Sequence, residues 1–386
     1  MSNIIYLDNA ATTSIDSEVL AAMMPYMSEH YGNPSSSYSL GRASRMAIES
    51  ARKQVADMLG VKPTTIYFTS GGTESNNTAI AAAIKDLGCN HIITSPIEHH
   101  AVLHTVEHYC KQHGVSSSLV KLLPDGSVNL KNLEEQLLEK SIEGKKCLVS
   151  LMHANNEIGT LLDINLAGEI CNRYAAIFHS DCVQTIGHYP IDLIKTGAKF
   201  ASASGHKFHG PKGTGILYVS EGTRFGSLIH GGGQERKKRA GTENVHGIIG
   251  FTKALALSME NNVADQIHIK GLNKKMRNAL SLISEEINFN NSEDSLFTVL
   301  SVNFPAGTNT DLMLALLDRK GICASGGSAC NSGEDSGSHV ISALGKEING
   351  ATLRFSFSKQ TNAADIDFAV SEINGLLALS TTKVQA

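Results

Sequence analysis

The chain has no tryptophan, only 5% aromatic residues and eight prolines among 386 residues. It therefore offers little from which to build an aromatic ligand platform. No apolar run approaches the roughly 18 residues of a membrane-spanning helix, and the opening MSNIIYLDNAATT lacks the basic flank and apolar stretch of a signal peptide. Seven cysteines are present (Cys89, Cys110, Cys147, Cys171, Cys182, Cys323 and Cys330), but no CxxC pair. Their odd number and wide scatter argue against a secreted disulfide framework, and the missing pair against a structural zinc or iron-sulfur site, so no metal is expected. Neither sign of charge is in large surplus: 33 Lys plus Arg face 37 Asp plus Glu, a formal net of −4. The basic run Arg236-Lys-Lys-Arg239 is too brief for a nucleic-acid footprint. A cytoplasmic protein with no membrane association and no direct nucleic-acid contact is expected.

What is abundant is glycine, 35 residues, and a 41% hydrophobic fraction sufficient for a substantial core in more than one domain. Helical spacing is predicted over 16–29 and 42–59, separated by the turn-rich segment Tyr31 to Ser37. Strands are expected near 65–69, 91–94, 118–122, 147–152, 176–180, 200–204 and 215–219. Helices are expected between them near 74–84, 98–112, 131–139 and 164–173. That rhythm implies an α/β fold with a largely parallel sheet covered by helices. After a mainly helical stretch over 250–286, strands near 297–303, 322–324 and 352–355 with helices near 309–319, 338–345 and 363–377 imply a second, smaller α/β domain.

Gly71-Gly-Thr73 stands where a strand enters a helix, and the backbone N–H groups of such a junction either hold a phosphate or form a capped turn. It carries neither the Gly-Lys-Ser/Thr of a nucleotide-binding loop nor GxGxxG. Lys207 lies in Ser202-Ala-Ser-Gly-His-Lys-Phe-His-Gly-Pro-Lys-Gly213, among small and apolar neighbours and few acids. Read alone it is either a solvated lysine or one that loses its proton and forms an imine with an aldehyde. Asp181 and Gln184 follow the strand near 176–180. A carboxylate there can hold a pyridine nitrogen protonated and Gln184 can bond a ring oxygen, or the two form a strand-end cap.

Together these segments resemble the pyridoxal-phosphate-dependent cysteine desulfurases of the aminotransferase class V superfamily. The resemblance spans nearly the whole chain. Beyond Tyr6-Leu-Asp-Asn-Ala-Ala-Thr12, it rests on Thr69-Ser-Gly-Gly-Thr-Glu-Ser75, Glu98-His-His-Ala-Val102, Asn155-Asn-Glu-Ile-Gly159, Ser204-Gly-His-Lys207 and Gly326-Gly-Ser-Ala-Cys330. It implies the fold-type-I architecture of pyridoxal-phosphate enzymes, with a large cofactor-binding domain over 15–258 and a small domain formed by 1–14 and 259–386. Pyridoxal 5'-phosphate is the implied cofactor. Lys207 matches the lysine that joins its aldehyde, Asp181 the pyridine-nitrogen partner and His99 the imidazole stacked on the ring. Gln184 and Asn156 match polar contacts to ring substituents or substrate. Gly72, Thr73, Ser204 and His206 match the phosphate cup, and Thr242 a phosphate contact given by the opposite subunit. Arg354 matches the arginine that grips the substrate carboxylate, and Cys330 the cysteine that takes up sulfur.

The implied reaction converts L-cysteine to L-alanine and leaves the sulfur as a persulfide on Cys330, serving iron-sulfur cluster assembly or tRNA thiolation. A homodimer and a sulfur-acceptor protein or iron-sulfur scaffold are the implied partners. Selenocysteine lysis and a noncatalytic scaffold are the rival readings. Tyr38, Ser336-Gly337 and Ser358 depart from the family's pattern but spare the residues of the central reaction.

Overall fold

The structure, a computed structural model, describes residues 4–292, 294–326, 338–345 and 349–384. In chain order β1 (Ile5–Tyr6), α1 (Ser17–Ser28), α2 (Ser39–Met58) and β2 (Ile66–Thr69) lead into α3 (Gly72–Lys85). Then follow β3 (His91–Thr94), α4 (His100–His113), β4 (Ser116–Leu119), α5 (Leu130–Ile142), β5 (Cys147–Ser150), α6 (Ile164–Arg173), β6 (Ile177–Asp181), β7 (Phe200–Ser204) and β8 (Gly215–Val219). Beyond the single turn α7 (Gln234–Lys237) come α8 (Val245–Glu260), α9 (Asn262–Ser281), β9 (Asn288–Phe289), β10 (Val299–Ala306) and α10 (Thr310–Arg319). The last elements are β11 (Ile322–Cys323), α11 (His339–Ala343), β12 (Gly350–Ser356) and α12 (Ala363–Val384). Asp16, Asn129, Asp163, Asn244 and Asn309 start five of the helices, each side chain accepting a backbone N–H of the first turn that would otherwise go unpaired.

Seven strands form one sheet in the order β2-β8-β7-β6-β5-β3-β4. The neighbours from β7 to β4 run parallel, while β8 is antiparallel to both β2 and β7. The predicted parallel sheet is thus correct except for β8, whose direction no periodicity encodes. Alternate residues serve opposite faces. Ile93, Val149 and Phe178 join α1, α2 and α8 in one core, while Ile92 and Leu148 join Ile80 and Val102 of α3 and α4 on the other. Helices on both faces explain why β3, β5, β7 and β8 are buried at every residue.

A second core gathers Leu7, Leu272 and Met276 with Leu300, Leu353, Phe355, Ile366 and Ile373. It lies against the antiparallel sheet β12-β10-β9, and β1 pairs in parallel with β11. The N-terminal segment is therefore sewn into elements more than 300 residues away: Leu7 N bonds Cys323 O at 2.9 Å and Ser356 N bonds Leu7 O at 2.7 Å. Among the described residues no helix is long and apolar enough to cross a membrane, and no group of three or more His, Cys, Asp or Glu is placed to hold a metal ion.

Candidate active site

In a sheet of parallel strands the carboxyl ends share one edge, where loops and helix N-termini converge on ligands. Here that edge lines a cavity of about 250 Å³. β2 leads through Gly71 to Gly72 and Thr73, β5 through Met152 to Asn156, β6 ends on Asp181 and β7 on Ser204. The turn Gly205–Lys207 follows at once, and His99 caps α4 just beyond β3. Arg354, on β12, closes the cavity from the second sheet. Ten of the residues singled out in the sequence thereby meet at one place and line this cavity, while Thr242 does not.

One end of the cavity is the N-terminus of α3. Gly71 has φ +151°, and a Cβ on Gly72 would stand 2.5 Å from Val183 Cγ2, so both positions demand glycine and leave the helix-end N–H groups open. Ser204 and His206 flank them. Burial, reinforced by Lys207, pushes the His206 imidazole down to about 4. It is a neutral ring at physiological pH, with Nδ1 3.2 Å from Thr12 Oγ1.

Lys207 Nζ donates to the carbonyls of Ala10 (2.6 Å) and Ala11 (2.9 Å). Gln184 also points at that strap, Nε2 donating to Ala10 O at 3.0 Å. Asp181 accepts from Val183 N (3.0 Å) on Oδ1 and from Asn76 Nδ2 (2.6 Å) on Oδ2. The His99 Nδ1 accepts from Ala101 N (3.1 Å), which leaves Nε2 as its N–H. Burial lowers the pKa of His99, with Asp181 opposing and Lys207 adding to the effect.

Arg354 is 2% exposed. Its Nη2 meets Asp8 Oδ1 at 2.6 Å and its Nη1 donates to Asn156 O at 3.0 Å, while Nε is buried with no partner among the described residues. An orphaned guanidinium N–H costs desolvation unless an acceptor arrives, and a carboxylate is the acceptor that fits its fork. Asn155 has a structural part: Oδ1 accepts from the N–H groups of Glu157 and Ile158, and Nδ2 donates to Ile97 O.

Cys330, Ser336 and Gly337 lie outside the described residues. Just beyond them Ser338 Oγ donates to Glu157 at 2.5 Å and His339 Nε2 to Glu98 O at 2.9 Å, so the chain returns beside Asn156 and His99. Thr242 is exposed and does not line the cavity of its own chain. Tyr38 is exposed, and Ser358 is buried in a turn with Thr361. Three residues of the site were missed in the sequence. Asn76 lies within the helix predicted over 74–84 and Asp8 within the stretch Tyr6 to Thr12, and neither was assigned a role from the sequence. Glu98 is fully buried, its carboxyl pushed up to about 8 by burial, with Oε1 held by Ser95 Oγ (2.7 Å) and Met152 N (2.9 Å).

A model of the family described as Aminotransferase class-V matches residues 5–368. The chain belongs to the class-V aminotransferase family. That family is pyridoxal-phosphate dependent. Among its members, a cysteine desulfurase IscS of Methanosarcina thermophila is 44% identical over 369 residues, covering 94% of this chain and 89% of the relative. A solved structure titled NifS-like protein superposes with a TM-score of 0.89 at 35% identity, covering 98% of this chain and 100% of its own. Another, titled SspA in complex with cysteine, gives 0.76 at 31% identity and covers 92% and 98% respectively. The class-V residues present here fit pyridoxal phosphate. A glycine cradle at a helix N-terminus, a lysine amine and a carboxylate line one cavity of suitable chemistry.

Proposed function

We infer that this protein is a pyridoxal-phosphate-dependent cysteine desulfurase that converts L-cysteine to L-alanine and passes the sulfur to its own Cys330. The observation that carries this reading is the meeting of Lys207, Asp181, His99 and Arg354 around one cavity, in a chain 44% identical to a protein named cysteine desulfurase. When bound, pyridoxal phosphate supplies an aldehyde that captures the substrate amine and a ring that takes up electrons from its α-carbon.

The chain's own residues would divide the remaining work. Gly72, Thr73, Ser204 and His206 would hold the phosphate, Asp181 would pair with the pyridine nitrogen, and His99 would lie against the ring. Lys207 would hold the aldehyde end of the cofactor, and its free amine would move the proton of the substrate α-carbon. Arg354 takes the substrate carboxylate on its fork, and Asn156 orients the amino acid beside it. The Cys330 thiolate attacks the substrate sulfur. A sulfur–sulfur bond forms, the carbon–sulfur bond breaks, and its electron pair stays with the three-carbon fragment, which is protonated and leaves as alanine. Reduction, or transfer to an acceptor protein or iron-sulfur scaffold, then empties the persulfide.

The working unit of this reading is a homodimer in which Thr242 completes the phosphate cup of the second copy. It is supported by the exposure of Thr242 and by Leu20, Met24 and Met27, which are 44–54% exposed at helical spacing along one face of α1. Cys330→Ser tests the sulfur step. It should abolish persulfide labelling and multiple-turnover desulfuration while leaving cofactor absorbance intact. Unchanged cysteine desulfuration in that variant contradicts the assignment of Cys330.

A further inference from the structure

Asn76 is 1% exposed on α3, four residues after Gly72. On a helix that spacing places the two on one face, about 6 Å apart along the axis. The same helix therefore presents its N-terminus to the phosphate end of the cavity and, one turn later, an amide to the carboxylate at the other end. Asn76 Nδ2 donates to Asp181 Oδ2 at 2.6 Å, while its own Oδ1 is buried without a partner among the described residues. Reversing the amide would set two oxygens against each other at that distance, so its orientation is fixed. Buried amides in native proteins are as a rule paired at both ends, and one that is not calls for a reason. This one leaves an acceptor orphaned and directs an N–H to one oxygen of Asp181, whose other oxygen is held by Val183 N.

We propose that Asn76 is a positioning residue that locks the Asp181 carboxylate in the rotation at which it meets the pyridine nitrogen of the cofactor. The proposal rests on the reading that pyridoxal phosphate binds in this cavity. Asn76 acts through Asp181, and its effect must therefore depend on the ring nitrogen itself.

That dependence supplies the test. Apoprotein of the wild type and of Asn76→Ala is titrated with pyridoxal phosphate and with its 1-deaza analogue, in which a carbon replaces the ring nitrogen. Asn76→Ala should weaken pyridoxal phosphate about tenfold, the worth of a hydrogen bond to a charged group. It should weaken the deaza analogue less than twofold. kcat should fall while KM for cysteine stays within twofold. Equal weakening of both ligands would show a merely structural role and overturn the proposal, as would no weakening of either. Unfolding of the two apoproteins by urea reports any general loss of stability. A loss that accounts for the whole affinity change also overturns it. Failure of wild-type protein to bind pyridoxal phosphate would instead remove the cofactor reading and take this proposal with it.

Discussion

Replacing Glu235 by alanine strips the counter-charge from a guanidinium that is itself only 3% exposed. Arg52 donates through Nη1 and Nη2 to the two Glu235 oxygens at 2.8 and 2.7 Å, and Phe68 N donates to the same carboxylate at 2.9 Å. In the variant, Arg52 retains Ile66 O and the carboxylate of Glu49, which is 60% exposed and correspondingly screened. Breaking one side of a buried pair costs roughly 3–5 kcal/mol, because the surviving charge stays desolvated. Part of this is returned. Glu235, Arg236 and Lys237 have φ of 43°, 57° and 66°, a left-handed turn that L-residues adopt only under constraint, and it relaxes once its anchor is gone. A net loss of about 3 kcal/mol is expected in urea unfolding of the cofactor-loaded protein. The double variant Arg52→Met/Glu235→Leu, which removes both charges, should return to within about 1 kcal/mol of wild type. A single-variant loss below about 1 kcal/mol, or a double variant as unstable as the single, would refute the reasoning.

Arg354→Lys keeps the charge but loses the planar fork, and KM for cysteine should rise about tenfold or more while cofactor affinity is unchanged; an unaltered KM removes the carboxylate-gripping role. His179 is fully buried between Ser150 and Ser202, and burial lowers its pKa to about 4. Its folded value lies below the unfolded one, so stability is complete above pH 6.5 and is lost as pH falls towards 4, by roughly 3 kcal/mol. His179→Asn should flatten that acid limb in unfolding measured from pH 7 to 4.5, and a limb of unchanged slope would contradict the assignment. Glu98 has the opposite sign: its raised value favours the folded state at low pH, and that contribution is lost as pH rises from about 4.5 through 8. Glu98→Gln should therefore reduce the decline in stability between pH 5 and 8, and an undiminished decline would assign it elsewhere.

The fold was legible wherever periodicity and flanking turns agreed. β3, β7 and β8 and the whole of α6 fall on their predicted residues, because short apolar runs bounded by polar loops have few other places to go. The direction of β8 was not legible, since a buried strand has the same composition whichever way it runs. In the candidate site, local chemistry left Lys207, Asp181 and the Gly71-Gly72 junction each with two readings, and the family resemblance chose between them; that Lys207, Asp181 and Gly72 line one cavity follows from the shared edge of the parallel strands. Asn76 was not legible, because its role depends on a carboxylate 105 residues away. Glu235 heads the short basic run Arg236 to Arg239, which was given no role in the sequence, yet its carboxylate is buried and paired with Arg52. A long-range ion pair leaves no periodic trace in the sequence. Asp8 was hidden likewise, its tie to Arg354 spanning 346 residues.

The central claim is tested most directly by alanine formation from L-cysteine, with purified protein loaded with pyridoxal phosphate, a reductant present, and Lys207→Ala as control. Alanine and sulfide in equal amounts from the wild type and none from the variant are the expected result. No alanine from a wild-type protein that visibly holds the cofactor, or equal amounts from the two proteins, would contradict it.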